Sequence, residues 1–213
     1  LKPDLTAPGV DIIAGVTPGM SAADRDSVAN GTMTPPAAHA SLQGTSMSSP
    51  HVAGLAALLR QQNPTWTPAM IKSALMTTGT MTFTDNRPSP ETGTLPWGQG
   101  AGHVNPNGAS DPGLVYNLGE LDYKRYHCGA GVTSACAGGI VGIAGYNLNL
   151  PSITLSNVLG TVAVSRSVTN VGSAAATYTG TISVPGFTAT VTPSSLALLP
   201  GQTKSFTVNL TRA

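Results

Sequence analysis

The residues best placed to do chemistry are Gly44-Thr45-Ser46-Met47-Ser48-Ser49-Pro50-His51, a small polar turn. It runs directly into Val52-Ala53-Gly54-Leu55-Ala56-Ala57-Leu58-Leu59, a charge-free string that reads as a helix. A helix N-terminus carries unpaired N–H groups and a partial positive charge, so it stabilises an anion that forms beside it. Were the Ser46 hydroxyl to attack a carbonyl, the oxyanion would form at that end. The plainer reading of Ser46 is an N-cap on a core helix, and caps are far commoner than nucleophiles. The turn alone leaves both open. His51 is close in sequence, but each helical residue advances ~100°, which turns it away from Ser46. It reads as a packing or hydrogen-bonding residue.

Several elements must hold that turn. Ala7-Pro8-Gly9 is a turn, and Val10, Ile12, Ile13, Ala14 and Val16 read as a short buried strand. Pro18-Gly19, Asn30-Gly31 and Pro35-Pro36 mark residues 17–43 as loops and turns. Asn30-Gly31-Thr32 fits a glycosylation acceptor, a triplet that also arises often by chance. His39 reads as a loop residue. The helix over residues 46–62 has almost no polar face, which predicts burial on nearly all sides. Pro50 falls in its first turn, where a missing N–H costs nothing. Thr67-Pro68 is an N-cap followed by proline at the first helical position, and it opens a helix through about Thr77. Ile71, Ala74, Leu75 and Thr78 form its inner stripe, with Trp66 as an anchor at its start.

Further on, Asp85-Asn86-Arg87-Pro88 and Pro90 predict a surface excursion. Gly98-Gln99-Gly100-Ala101-Gly102 precedes no helix, so a dinucleotide fingerprint is not supported and close backbone contact is the simpler account. A short helix is expected around Tyr123 and Tyr126. Cys128 and Cys136 read either as a local disulfide or as two free thiols, and a metal site is disfavoured because only His127 is near. From Tyr146 the composition shifts to alternating, β-branched runs at 153–155, 162–164, 178–182, 188–191 and 205–208, spaced by Pro and Gly turns. That is the pattern of a β-sandwich.

The 213 residues suffice for one medium domain or two small ones, with a net charge of only +1. There is no basic stripe, which argues against nucleic acid, and no apolar run long enough to span a membrane. No calcium-ligand cluster is evident, and no cofactor is expected. Scarce charge with abundant Ser and Thr suits a secreted protein.

The longer string Gly44-Thr45-Ser46-Met47-Ser48-Ser49-Pro50-His51-Val52-Ala53-Gly54 resembles the nucleophile motif of subtilisin-like serine proteases. Leu1-Lys2-Pro3-Asp4-Leu5-Thr6-Ala7-Pro8-Gly9-Val10 is similar to the strand and loop that precede it, and residues 64–78 to the helix that follows. Gly100-Ala101-Gly102-His103-Val104-Asn105-Pro106 and Asp111-Pro112-Gly113-Leu114-Val115-Tyr116 point to the plant-type, cucumisin-like branch. Ser165-Arg166-Ser167-Val168-Thr169-Asn170-Val171-Gly172 resembles its C-terminal fibronectin-III-like domain. A lipase-type Gly-x-Ser-x-Gly elbow is not matched, because Ser48 stands where the second glycine belongs.

The resemblance implies an α/β region, the C-terminal part of a parallel-sheet catalytic domain, over residues 1–116. It then implies a connecting segment at 117–145 and an all-β, fibronectin-III-like sandwich at 146–213, with family sequence expected beyond both ends. It implies a serine endopeptidase acting on protein or peptide substrates, with Ser46 as nucleophile and its backbone N–H as one oxyanion donor. The family's Asp and His segments lie upstream of the serine and have no match here. None of His39, His51, His103 and His127 is followed by Gly-Thr. The chain alone is therefore expected to be inactive, and poorly soluble unless beside its N-terminal half. A non-catalytic protein-binding fragment is the alternative.

Overall fold

The computed structural model describes residues 2–80 and 98–212. The surface excursion expected at residues 85–90 lies outside them. The chain divides into two units, one of residues 7–55 and one of residues 2–6 with 56–212.

In the first unit, β1 (Ile12–Gly15) pairs antiparallel with β2 (His39–Leu42), with Ile12 opposite Leu42 and Gly15 opposite His39. His39 is thus the first residue of a strand and not a loop residue. The strand around Ile13 is not buried as its apolar run predicts: Ile13 is 77% exposed and Val10 69%. Helix α1 (Ala22–Ala29) lies between the two strands, in a stretch read from sequence as loops. Ser21 Oγ accepts from Asp24 N–H, and the Asp24 carboxylate accepts from Ser21 N–H and Oγ–H. This reciprocal cap satisfies two otherwise unpaired groups and lets a polar eight-residue segment start a helix.

Helix α2 (Thr45–Gln62) is shared by the two units. Its expected burial on nearly all sides is not found: Leu59 is its only buried residue, and Leu58 is 62% exposed. An apolar helix is covered only where a sheet or helix lies against it, and the two-stranded sheet of residues 7–55 is narrow.

In the second unit, helix α3 (Pro68–Thr77) starts as predicted, with the Thr67 hydroxyl accepting from Met70 N–H and Pro68 in the first turn. Its buried face is Ile71, Ser73, Ala74, Leu75 and Met76, with Thr78 only half-buried. Ser73 is fully buried because its hydroxyl accepts Tyr116 N–H at 2.9 Å. Trp66 is 7% exposed, and its carbonyl accepts a hydrogen bond from Arg60. Thr6 makes a parallel bridge to His103, and Thr80 an antiparallel one. The expected close backbone contact is present here: a Cβ on Gly100 would lie 2.4 Å from the Pro3 carbonyl oxygen. Helix α4 (Pro106–Ser110) is capped by Asn105 and leads into β3 (Leu114–Val115).

Helix α5 (Glu120–Gly129) confirms the short helix around Tyr123 and Tyr126. A disulfide joins Cys128 to Cys136. The sandwich strands are β4 (Thr161–Asn170), β5 (Ala176–Thr179), β6 (Phe187–Thr192), β7 (Ser195–Leu198) and β8 (Thr203–Arg212). They form a sheet of order β3-β4-β8-β6 and a second sheet of β5 with β7, all antiparallel. Residues 153–155, read as a strand, are not in one. Val164, Val208 and Leu210 centre the sandwich core. The fold class is therefore an α/β region followed by a β-sandwich.

Two buried polar side chains hold this part together. Arg166 is 3% exposed and makes no ion pair with a carboxylate among the described residues. Its guanidinium donates to the carbonyls of Leu150, Tyr146, Ser165 and Ser152 at 2.7–3.1 Å. Burial pulls its pKa below the ordinary guanidinium value, opposed by the nearby Tyr116 phenol. Asn170, fully buried, donates to the carbonyls of Ala174 and Leu198 and accepts Gly172 N–H.

Candidate active site

The first turn of α2 is built on Gly44. Its φ of 138° suits glycine, and its carbonyl accepts Met47 N–H at 3.0 Å and Ser48 N–H at 3.4 Å. The helix opens at Thr45, so Ser46 lies inside the first turn and not at the cap position. Its side chain is exposed and makes no hydrogen bond to a described residue. The hydroxyl is therefore not spent on capping, which removes the plainer of the two readings of this residue. Ser46 N–H belongs to the first-turn amides that a helix cannot pair internally, so it points free donor character at the same end. No acidic residue lies in that turn to offset its positive partial charge.

Ser48, two residues on, is differently placed. Its hydroxyl donates to the Ala7 carbonyl at 3.0 Å and is partly buried. Gly44 N–H donates to the Gly9 carbonyl at 2.7 Å. The Ala7-Pro8-Gly9 loop is thus bonded to the serine turn at two points. In the sequence, Pro-Gly beside an apolar run marks this segment as a turn, and its resemblance to the loop preceding the nucleophile motif places it before the serine; the bonds to Gly44 and Ser48 are not legible there.

The histidines are engaged elsewhere. His51 Nδ1–H donates to Met47 O at 2.7 Å, the hydrogen-bonding role expected of it. His39 lies in β2, and His103 bridges Thr6 and Thr80 through its backbone. The His127 ring sits edge-on to Tyr126, centroids 5.5 Å apart. None of the four bonds to Ser46. Among the described residues no group of three or more His, Cys, Asp and Glu could hold a metal ion. No helix among them is long and apolar enough to cross a membrane.

Residues 1–106 match the sequence profile of the subtilase family, and residues 147–213 that of a fibronectin type-III domain. The subtilisin-like protease SBT2.5 of Arabidopsis thaliana is 38% identical over 99% of this chain and 27% of its own length. SBT5.3 of the same plant is 39% identical over 100% of this chain and 29% of its own length. A subtilisin-like protease of Glycine max is 39% identical over 98% of this chain and 28% of its own. The chain belongs to the subtilase family, with a fibronectin type-III domain following the subtilase portion. It spans little more than a quarter of the length of these relatives.

Proposed function

We propose that the protein containing this chain is a secreted serine endopeptidase. Ser46 attacks the peptide carbonyl and forms the acyl-enzyme, and Ser46 N–H is one donor to the oxyanion. The supporting observation is a serine hydroxyl exposed in the first turn of a helix, bonded to nothing else, in a family whose relatives are proteases. A serine without a base is nearly unreactive at neutral pH. The base and its orienting carboxylate therefore come from sequence outside this chain, and the chain alone hydrolyses nothing. The N-terminal part of the catalytic domain is its principal partner, and the exposed Leu58 is part of the apolar surface that partner covers. Protein or peptide chains are its substrates.

The test is a peptidase assay on three samples. The full-length protein is expected to cleave a denatured protein substrate. Its Ser46→Ala variant and the isolated 213-residue chain are expected to show no cleavage above background. Full activity in the Ser46→Ala variant would refute the assignment of the nucleophile. Activity of the isolated chain that depends on Ser46 would refute the need for an outside base. An inactive full-length protein would instead support a non-catalytic binding role.

A further inference from the structure

Gly9 is 35 residues from Gly44 in sequence, yet the two are in backbone contact. A Cβ on Gly9 would lie 2.2 Å from Ser48 Oγ and 2.8 Å from the Gly44 carbonyl oxygen. The backbone at Gly9 is not among the positive-φ glycines, so glycine is needed there for space and not for conformation. The two collisions differ in kind. Ser48 Oγ is the end of a side chain and can rotate away, though it would leave the Ala7 carbonyl. The Gly44 carbonyl cannot, because it starts the helix by accepting Met47 N–H and Ser48 N–H. Ser46 lies between Gly44 and those two residues, so any displacement of Gly44 carries Ser46 with it.

We propose that Gly9 is a positioning residue for the Ser46 nucleophile. Its bare Cα lets the Ala7–Gly9 backbone press against the serine turn, and its carbonyl holds Gly44 while Ala7 holds Ser48. The loop thereby fixes where Ser46 Oγ stands relative to a bound carbonyl. Displacing a reacting group by ~1 Å can cost ~100-fold in rate. A methyl group at Gly9 forces a smaller shift than that. The expected loss is about 10-fold or more in the rate at each folded site.

This inference rests on the reading of Ser46 as nucleophile, and the experiment separates the two. Full-length protein is treated with a fluorophosphonate probe, and both the final labelled fraction and the rate constant are measured. Loss of labelling in Ser46→Ala tests the nucleophile itself. Gly9→Ala is then expected to label to the same final fraction but about 10-fold or more slowly, with KM for a peptide substrate changed less than kcat. A purely structural glycine would lower the labelled fraction and leave the rate per site unchanged. Ser48→Ala removes one tether without adding an atom and is expected to label about two- to fivefold more slowly. A parent rate per site in Gly9→Ala would overturn the proposal. Should Gly9→Ala fail to fold, a parent rate in Ser48→Ala would overturn it.

Discussion

Ser46 and Ser48 share one helical turn but divide its work. Ser48 Oγ donates to Ala7 O at 3.0 Å, partly buried, whereas Ser46 Oγ is exposed and bonds to no described residue. Stability and chemistry should therefore separate between them. Ser46→Ala in the full-length protein is expected to leave the thermal midpoint within a degree or so of the parent, since exposed substitutions are close to neutral. Ser48→Ala is expected to cost about 1 kcal/mol, the net value of a partly buried hydrogen bond. Differential scanning calorimetry of the two variants checks both.

Arg166 is a buried cation whose partners among the described residues are four backbone carbonyls and no carboxylate. Removing it strands acceptors on the 146–152 segment. Arg166→Met is expected to destabilise the sandwich by roughly 2–4 kcal/mol. Arg166→Lys should recover little, because an ammonium has three donors and no planar fork to reach carbonyls on several sides. Urea unfolding followed by hydrogen exchange in β4 and β8 measures this.

The disulfide between Cys128 and Cys136 spans eight residues of sequence. Chain-entropy arguments give a loop of that size about 2.5 kcal/mol at most. Replacing both cysteines with serine should raise hydrogen exchange in α5 and the 133–139 turn while leaving the sandwich unchanged. Faster exchange across β4 and β8 would show that the staple reaches further than its own loop.

Asp4 gives the fold an acid-sensitive point. Burial alone would raise its carboxyl pKa, but hydrogen bonds and charges from Lys2 and Lys72 outweigh burial and hold it below the usual value. Lys72 Nζ stands 2.9 Å from the carboxylate. A lowered folded-state pKa means that the stabilisation is complete above the unfolded value of ~3.9 and is lost as pH falls through the folded one. The thermal midpoint of the full-length protein should therefore drop as pH is lowered from about 5 towards 2. Asp4→Asn should lower the midpoint at neutral pH and flatten that drop.

What could be read from sequence was mostly local. Thr67-Pro68 specified α3 because capping and the first helical turn involve adjacent residues only. Ser21 and Asp24 carry a signal of the same kind for α1, obscured by the prolines and glycines on either side. The short strand β7, Ser195–Leu198, carries too little apolar alternation to be recognised without its partner β5. The exposure of α2 was illegible for another reason: composition shows that a helix is apolar, but only its neighbours decide whether it is covered. The flanking motif is what singles out Ser46 as the candidate nucleophile. The way Ser46 is held is not legible in sequence, since it depends on carbonyls at Ala7 and Gly9, more than thirty residues upstream.

The most direct measurement of the central claim is mass-spectrometric mapping of the serine that a fluorophosphonate modifies in the full-length protein. A single adduct on Ser46, absent after heat denaturation before labelling, is the expected result. An adduct on Ser48 or another serine, or no adduct in a protein that still cleaves peptides, would contradict it.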